Sequence, residues 1–131
     1  MPRAFTPRCT LVPESTRYPS KVVRGLRFDS DGLTIDIQGD GFRYARVRFA
    51  APLGFRVLDE AELTEFWNTY SEPNGWLWEV HAGGWRELES ERERFLANPR
   101  ARPGLREFLL VDEHVIQVLT EQAPVIEDLG A

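Results

Sequence analysis

Two side chains able to move protons fall two residues apart, at Glu79 and His81 in the stretch from Trp76 to His81. Extended backbone sends residues i and i+2 to one face, so the two sit side by side, as a proton-transfer pair or a pair of ligands requires. Histidine also serves without titrating, as a solvated or hydrogen-bonded ring. Neither His81 nor His114 has Cys or His neighbours at metal-site spacing, so no metal is expected. His114 ends the turn sequence Asp112-Glu-His and reads as exposed. Carboxylates cluster twice. Asp59, Glu60, Glu62 and Glu65 form one group, and Glu87, Glu89, Glu91 and Glu93 are interleaved with Arg86, Arg92 and Arg94 in the other. Buried acid pairs at the separations glycosidases use do general acid and base work. A solvated face is the simpler account, because helical spacing pairs Glu89 with Arg92 and Glu91 with Arg94 at i, i+3. The lone Cys9 has no disulfide partner and no neighbour that would activate it, and it reads as structural. No nucleophile-elbow sequence is present, and Gly39-Asp-Gly serves a turn between strands rather than a phosphate. No cofactor is implied.

The elements that must position these groups follow from alternation and turn residues. Lys21 to Phe28 reads as a strand that ends at Asp29-Ser-Asp-Gly, where Gly32 suits a positive φ. Leu33, Ile35 and Ile37 alternate with Thr34, Asp36 and Gln38 in a second strand, as a sheet with one wet face requires. In a third strand from Phe42 to Phe49 the alternation slips, which a bulge or a partly wet core face would accommodate. Phe55 to Leu58 is a short fourth strand. Asp59 is the expected N-cap of a helix over about Glu60 to Tyr70, with Leu63, Phe66, Trp67 and Tyr70 on its inner stripe. Trp76 to Val80 is a strand, Trp85 to Ala97 fits a helical stripe interrupted by Arg92 and reads as a second helix with strand as the alternative, and Leu105 to Val111 with Val115 to Thr120 is a hairpin.

Together these predict one α+β domain over residues 1–131, an antiparallel meander sheet with one or two helices packed on one face. A strongly curved half-barrel is the alternative. A chain of 131 residues buries roughly two thirds of its unfolded surface. Residues 1–17 and 122–131 read as loosely packed ends. No stretch approaches a membrane span or a signal peptide, and the protein is expected to be cytoplasmic, as a monomer or homodimer.

Charge is divided along the chain. Residues 1–56 carry ten Lys or Arg against five Asp or Glu, and residues 57–131 carry six against sixteen. The acidic part also holds all four tryptophans. Strand geometry puts Trp76 and Trp78 on one face with Leu77 opposite, to be read either as core or as a binding surface. Acidity argues against nucleic acid as the partner, since Lys and Arg supply most affinity for phosphates. Arg43, Arg46 and Arg48 do not share one face by this reading.

The segment from Gly54 to Leu63, then Phe66-Trp, then Gly75 to Glu89 with its Gly83-Gly84 turn, and the hairpin Leu105 to Thr120 resemble small immunity proteins of bacterial polymorphic toxin systems. The resemblance implies a non-enzymatic α+β domain, often acidic, that binds and neutralises a cognate protein toxin. On that reading Glu60, Glu62, Glu65, Glu72, Trp76 and Trp78 are the expected partner-binding residues. Two other readings stand beside it: a small-molecule or peptide-binding accessory domain using the tryptophan face, and a small hydrolase using a carboxylate or His81.

Overall fold

The computed structural model describes residues 6–18, 21–59, 61–62, 66, 70, 75–92 and 103–130. Its strands are β1 (Arg8–Leu11), β2 (Lys21–Asp29), β3 (Gly32–Gly39), β4 (Tyr44–Phe49), β5 (Gly54–Asp59), β6 (Leu77–Ala82), β7 (Arg106–Val111), β8 (His114–Thr120) and β9 (Val125–Gly130). One short helix, α1 (Trp85–Glu89), is described. The fold is therefore mostly antiparallel sheet. The expected single meander is two sheets, ordered β2-β3-β4-β9 and β1-β6-β7-β8-β5.

The first sheet grows from local rules. Gly32 adopts φ +110°, and a Cβ there would lie 2.4 Å from the Phe49 carbonyl oxygen, so the β2–β3 turn needs glycine on both counts. Leu33, Ile35 and Ile37 of β3 and Ala45, Val47 and Phe49 of β4 are all buried. The slip expected in the third strand is absent from its pairing with β3, which runs unbroken from Leu33–Phe49 to Gln38–Tyr44. Irregularities fall instead at Arg24 in β2 and between Tyr44 and Ala45 where β4 meets β9. Arg46 and Arg48 consequently share the outer face.

The second sheet lies against this apolar face. Leu77, Phe108, Leu110, Ile116 and Val118 meet the β3 and β4 side chains in one core, with Phe49 and Phe108 at 5.8 Å between ring centroids. Each such buried aliphatic or aromatic contributes about 1.5–3 kcal/mol. The opposite face of the second sheet is also covered: Trp78, Val80, Leu109, Val111 and Val115 pack with Phe66, Leu58 and Tyr70. Leu105 and Leu119 pack with Trp85 of α1.

Most of the helix expected over residues 60–70 lies outside the described residues. Two of its features are present: the Ala61 N–H donates to Asp59 Oδ1 at 2.9 Å, and the Tyr70 N–H donates to the Phe66 carbonyl at 2.8 Å. The second expected helix is α1 followed by a turn to Arg92, with residues 93–97 outside the description. Glu89 and Arg92 form the expected i, i+3 pair at 2.8 Å. Both ends, read as loose, hold edge strands. β1 pairs with β6, and β9 pairs with β4, so the described parts of the chain ends complete the two sheets.

One end of the sandwich is tied shut by polar groups. Lys21 of β2, its side chain 0% exposed, donates from Nζ to the Val111 carbonyl and lies 3.4 Å from Asp112 Oδ1. Asp112 Oδ2 accepts the Val23 N–H at 3.0 Å. Trp76 adds a third tie, its Nε1 donating to the carbonyls of Tyr18 at 2.7 Å and Ser15 at 3.2 Å.

Candidate functional site: the open flank between two edge strands

β2 and β5 each end their sheet, and they border the same side of the sandwich. Phe28 of β2 and Phe55 of β5 touch there, with ring centroids 5.3 Å apart. Register shows which face these residues occupy. Leu26 opposes Ile35 and Phe28 opposes Leu33, both core positions, so Leu26 and Phe28 point inward. Phe55 opposes Val118 and Val57 opposes Ile116, and these point inward as well. Yet Phe28 is 58% exposed and Val57 46% exposed. Side chains aimed at a core that stay wet mark the place where neither sheet covers the other.

Toward the Lys21 end, this flank deepens into a cavity of about 220 Å³ lined by Val22, Val23, Asp112, Glu113, His114 and Ile116. Its surroundings are acidic. Asp59 pairs in register with His114 and, by alternation, lies on the face of Phe55 and Val57. Glu62 follows three residues on and is exposed. Among the described residues neither Glu62 nor Glu113 has an ion-pair partner. The flank thus combines an apolar floor with uncompensated carboxylates at one end.

Of the residues expected to bind a partner, Glu62 is at this acidic end, and Glu60, Glu65 and Glu72 lie outside the described residues. Trp76 and Trp78 require correction: both are buried, so neither offers a surface anchor. Nor do they share a face. β6 begins at Leu77, so strict alternation does not extend back to Trp76, which joins the inter-sheet core with Leu77 while Trp78 joins the opposite cluster.

The other candidate chemistry resolves into bonds already made. Thr10 Oγ1 and His81 Nε2 are 2.8 Å apart, as the side-by-side placement of a strand pair allows. Glu79 is committed to Arg106, which donates from Nε at 2.8 Å and from Nη2 at 2.7 Å, occupying both carboxylate oxygens. These bonds, with the Arg106 and His81 charges, hold Glu79 below its ordinary pKa against the opposing effect of burial.

Glu107 is the buried acid that sequence reasoning missed. Its oxygens accept the N–H groups of Trp85 at 3.0 Å and Arg86 at 2.7 Å, and the Gln117 amide at 3.3 Å. The carboxylate caps the start of α1 from another strand, where Gly84 leaves room: a Cβ on Gly84 would sit 2.6 Å from it. Burial raises the Glu107 pKa, while the two backbone donors and the Arg56 and Arg86 charges pull it down. Burial, with the Glu107 charge second, pushes the Cys9 thiol up to about 12, which leaves it unreactive. Arg56 completes the network, donating to Gln117 Oε1 at 2.6 Å and lying 4.8 Å over the Trp85 ring.

Phe28, Phe55 and Val57 were read only as strand residues, because alternation reveals an inward face and not whether another sheet covers it. Among the described residues no group of three or more His, Cys, Asp or Glu is arranged to hold a metal ion, and no helix is long and apolar enough to cross a membrane. Comparison with protein-family models, curated proteins and solved structures finds no match for this chain.

Proposed function

We propose that this protein is a non-enzymatic inhibitor of the immunity type, cytoplasmic, which binds a cognate protein toxin through the open flank and its acidic end. The observation that carries this reading is the coincidence of exposed, inward-aimed Phe28 and Val57 with unpaired Glu62 and Glu113. Exposed apolar area rimmed by polar groups is a signature of protein contact. Charge favours a basic partner. Arg27, Arg43, Arg46 and Arg48 are paired with Asp29, Asp128, Asp36 and Glu127 at 2.7–3.1 Å, which neutralises much of the β2-β3-β4-β9 face. Residues 57–122, by contrast, carry six arginines against fourteen acids. Among the described residues of that stretch Arg86, Arg92 and Arg106 stand against ten acids, an excess that steers a cationic partner toward the second sheet.

The accessory-domain reading draws on the same cavity. At about 220 Å³ it falls short of the roughly 300 Å³ at which pockets for small ligands begin, so at this flank a macromolecular partner fits better, while a separate hollow of about 380 Å³ on the other sheet, lined by Arg24, Asp36, Tyr44 and Arg46 among others, is large enough for a small ligand. The hydrolase reading has less support, since Glu79 is saturated by Arg106 and Glu107 is enclosed beneath α1.

Affinity capture of the tagged protein from its native cells, at low and moderate salt, tests the proposal. Near-equal recovery of one large secreted-type protein ending in a toxin domain is the expected result, and recovery of the protein alone with neighbouring genes expressed would overturn it. With a partner in hand, Glu62→Lys combined with Glu65→Lys should slow association about tenfold at low salt and leave the unfolding midpoint nearly unchanged. Unaltered association kinetics would remove these two residues from the contact.

A further inference from the structure

Among the described residues four strands end the two sheets, and three of them are guarded against pairing. β1 has four residues, a register shift at Arg8–Cys9, and prolines at positions 7 and 13 beside it. β2 is interrupted at Arg24 and carries Arg27. β9 carries Glu127 and Asp128 and shifts register against Tyr44–Ala45. Short length, bulges, prolines and charges are the devices by which proteins blunt sheet edges. β5 has no register shift and no proline within it, and its charges are Arg56 and, at its last position, Asp59. Its six residues pair with β8 without interruption from Gly54–Leu119 to Asp59–His114, and its charged residue inside the strand, Arg56, is turned to the opposite face and held by Gln117 and Trp85. Leu53, immediately before it, is 43% exposed.

We infer that β5 is a docking edge that receives an extended segment of a basic partner as an added antiparallel strand. This deepens the inhibitor reading and rests on it. Main-chain hydrogen bonds to β5 would supply affinity, and side chains at alternate positions would supply selectivity. Antiparallel pairing puts three partner side chains on the inner face, opposite Phe55, Val57 and Asp59. The first two positions call for apolar side chains, which would also meet Leu26 and Phe28 across the flank. The third calls for Lys or Arg, because it faces Asp59, whose register partner His114 follows Glu113 and which Glu62 follows three residues on in the chain. A second copy of this chain meets unfavourable pairs in the two registers centred on Arg56 and Val57, which leaves the one centred on Phe55, with Leu53 against Val57, for the dimer arm of the test to exclude. An antiparallel β5–β5 pair centred on Arg56 sets two guanidinium groups together, and one centred on Val57 sets Phe55 against Asp59.

The probe is the capped peptide Lys-Thr-Val-Thr-Val-Thr, whose Lys and two Val would oppose Asp59, Val57 and Phe55. Its control replaces Lys by Glu. The inference expects saturable binding of the probe to the full chain with a Kd below about 1 mM, and at least about tenfold weaker binding of the control at low salt. It also expects slowed amide hydrogen exchange in β5. Val57→Lys should weaken the probe about tenfold or more. Asp59→Asn, which keeps the acceptor for the Ala61 N–H, should abolish the preference for Lys over Glu while leaving a weak peptide complex. Binding absent at about 1 mM, protection confined to β1, β2 or β9, or a Lys preference surviving in Asp59→Asn would each overturn the inference. So would a concentration-dependent dimer that protects β5 without peptide. A captured cellular partner whose binding Val57→Lys leaves unchanged would overturn strand addition and leave the inhibitor reading intact.

Discussion

Trp76 and Trp78 stand two residues apart with their indole N–H groups in opposite circumstances. Trp76 Nε1 donates to two backbone carbonyls, whereas Trp78 Nε1 is buried with no hydrogen-bond partner among the described residues. A buried unsatisfied donor costs about 1–3 kcal/mol, and removing a made bond strands its acceptors at similar cost. Phenylalanine at position 76 therefore deprives the Ser15 and Tyr18 carbonyls of a donor, while at position 78 it deletes an unpaired group. Trp76→Phe should cost about 1–3 kcal/mol more than Trp78→Phe in urea unfolding, although both lose similar apolar volume. Glu107 gives a second test. Because its folded pKa lies above the ordinary carboxylate value, its contribution to stability is fully present below that ordinary value and is lost as pH rises through the raised one. Glu107→Gln does not titrate. The stability advantage of the native protein over this variant should therefore shrink as pH rises above the ordinary carboxylate value, and a growing advantage in parallel urea titrations would contradict the assignment.

At the scale of elements, the β2–β3 hairpin depends on a single turn residue. Gly32→Ala combines a positive φ with a Cβ driven into the Phe49 and Ala50 carbonyls, so a loss of about 2 kcal/mol or more in unfolding free energy is expected. Gly41, also at positive φ, has nothing near its missing Cβ, and Gly41→Ala should cost less. The hairpins were legible for physical reasons: β3 alternates cleanly because one of its faces is core, and Asp29-Ser-Asp-Gly can do little except turn. β1 and β9 were not. β1 does alternate, with Cys9 and Leu11 against the Trp78 cluster and Arg8 and Thr10 exposed, but four residues are too few to read as a strand, and β9 packs only Ile126 on the core; what orders both is pairing to β6 and β4, distant in the chain. The Trp76–Trp78 error has the same root, since strand periodicity was extended one residue past the start of β6.

For the whole molecule, consecutive basic and acidic halves do not become two charged hemispheres. β9 returns from the acidic end of the chain to lie beside β4, carrying Glu127 and Asp128 to Arg48 and Arg43. Charge counting along the sequence therefore located the acidic excess near Asp59 and Glu62 but overstated the basic face. The apolar floor of the flank could not be read in advance, because whether Phe28 and Val57 are covered depends on sheet order, a property of pairings among segments far apart. Sheet order also fixes the fate of Lys21, the chain's single lysine, whose ammonium group is enclosed between the two sheets at the tied end. The folded protein consequently presents arginine as its cationic side chains on the surface. Reagents and enzymes that acylate or conjugate lysine amines find no lysine target until the sandwich opens, so acyl transfer to position 21 records unfolding itself.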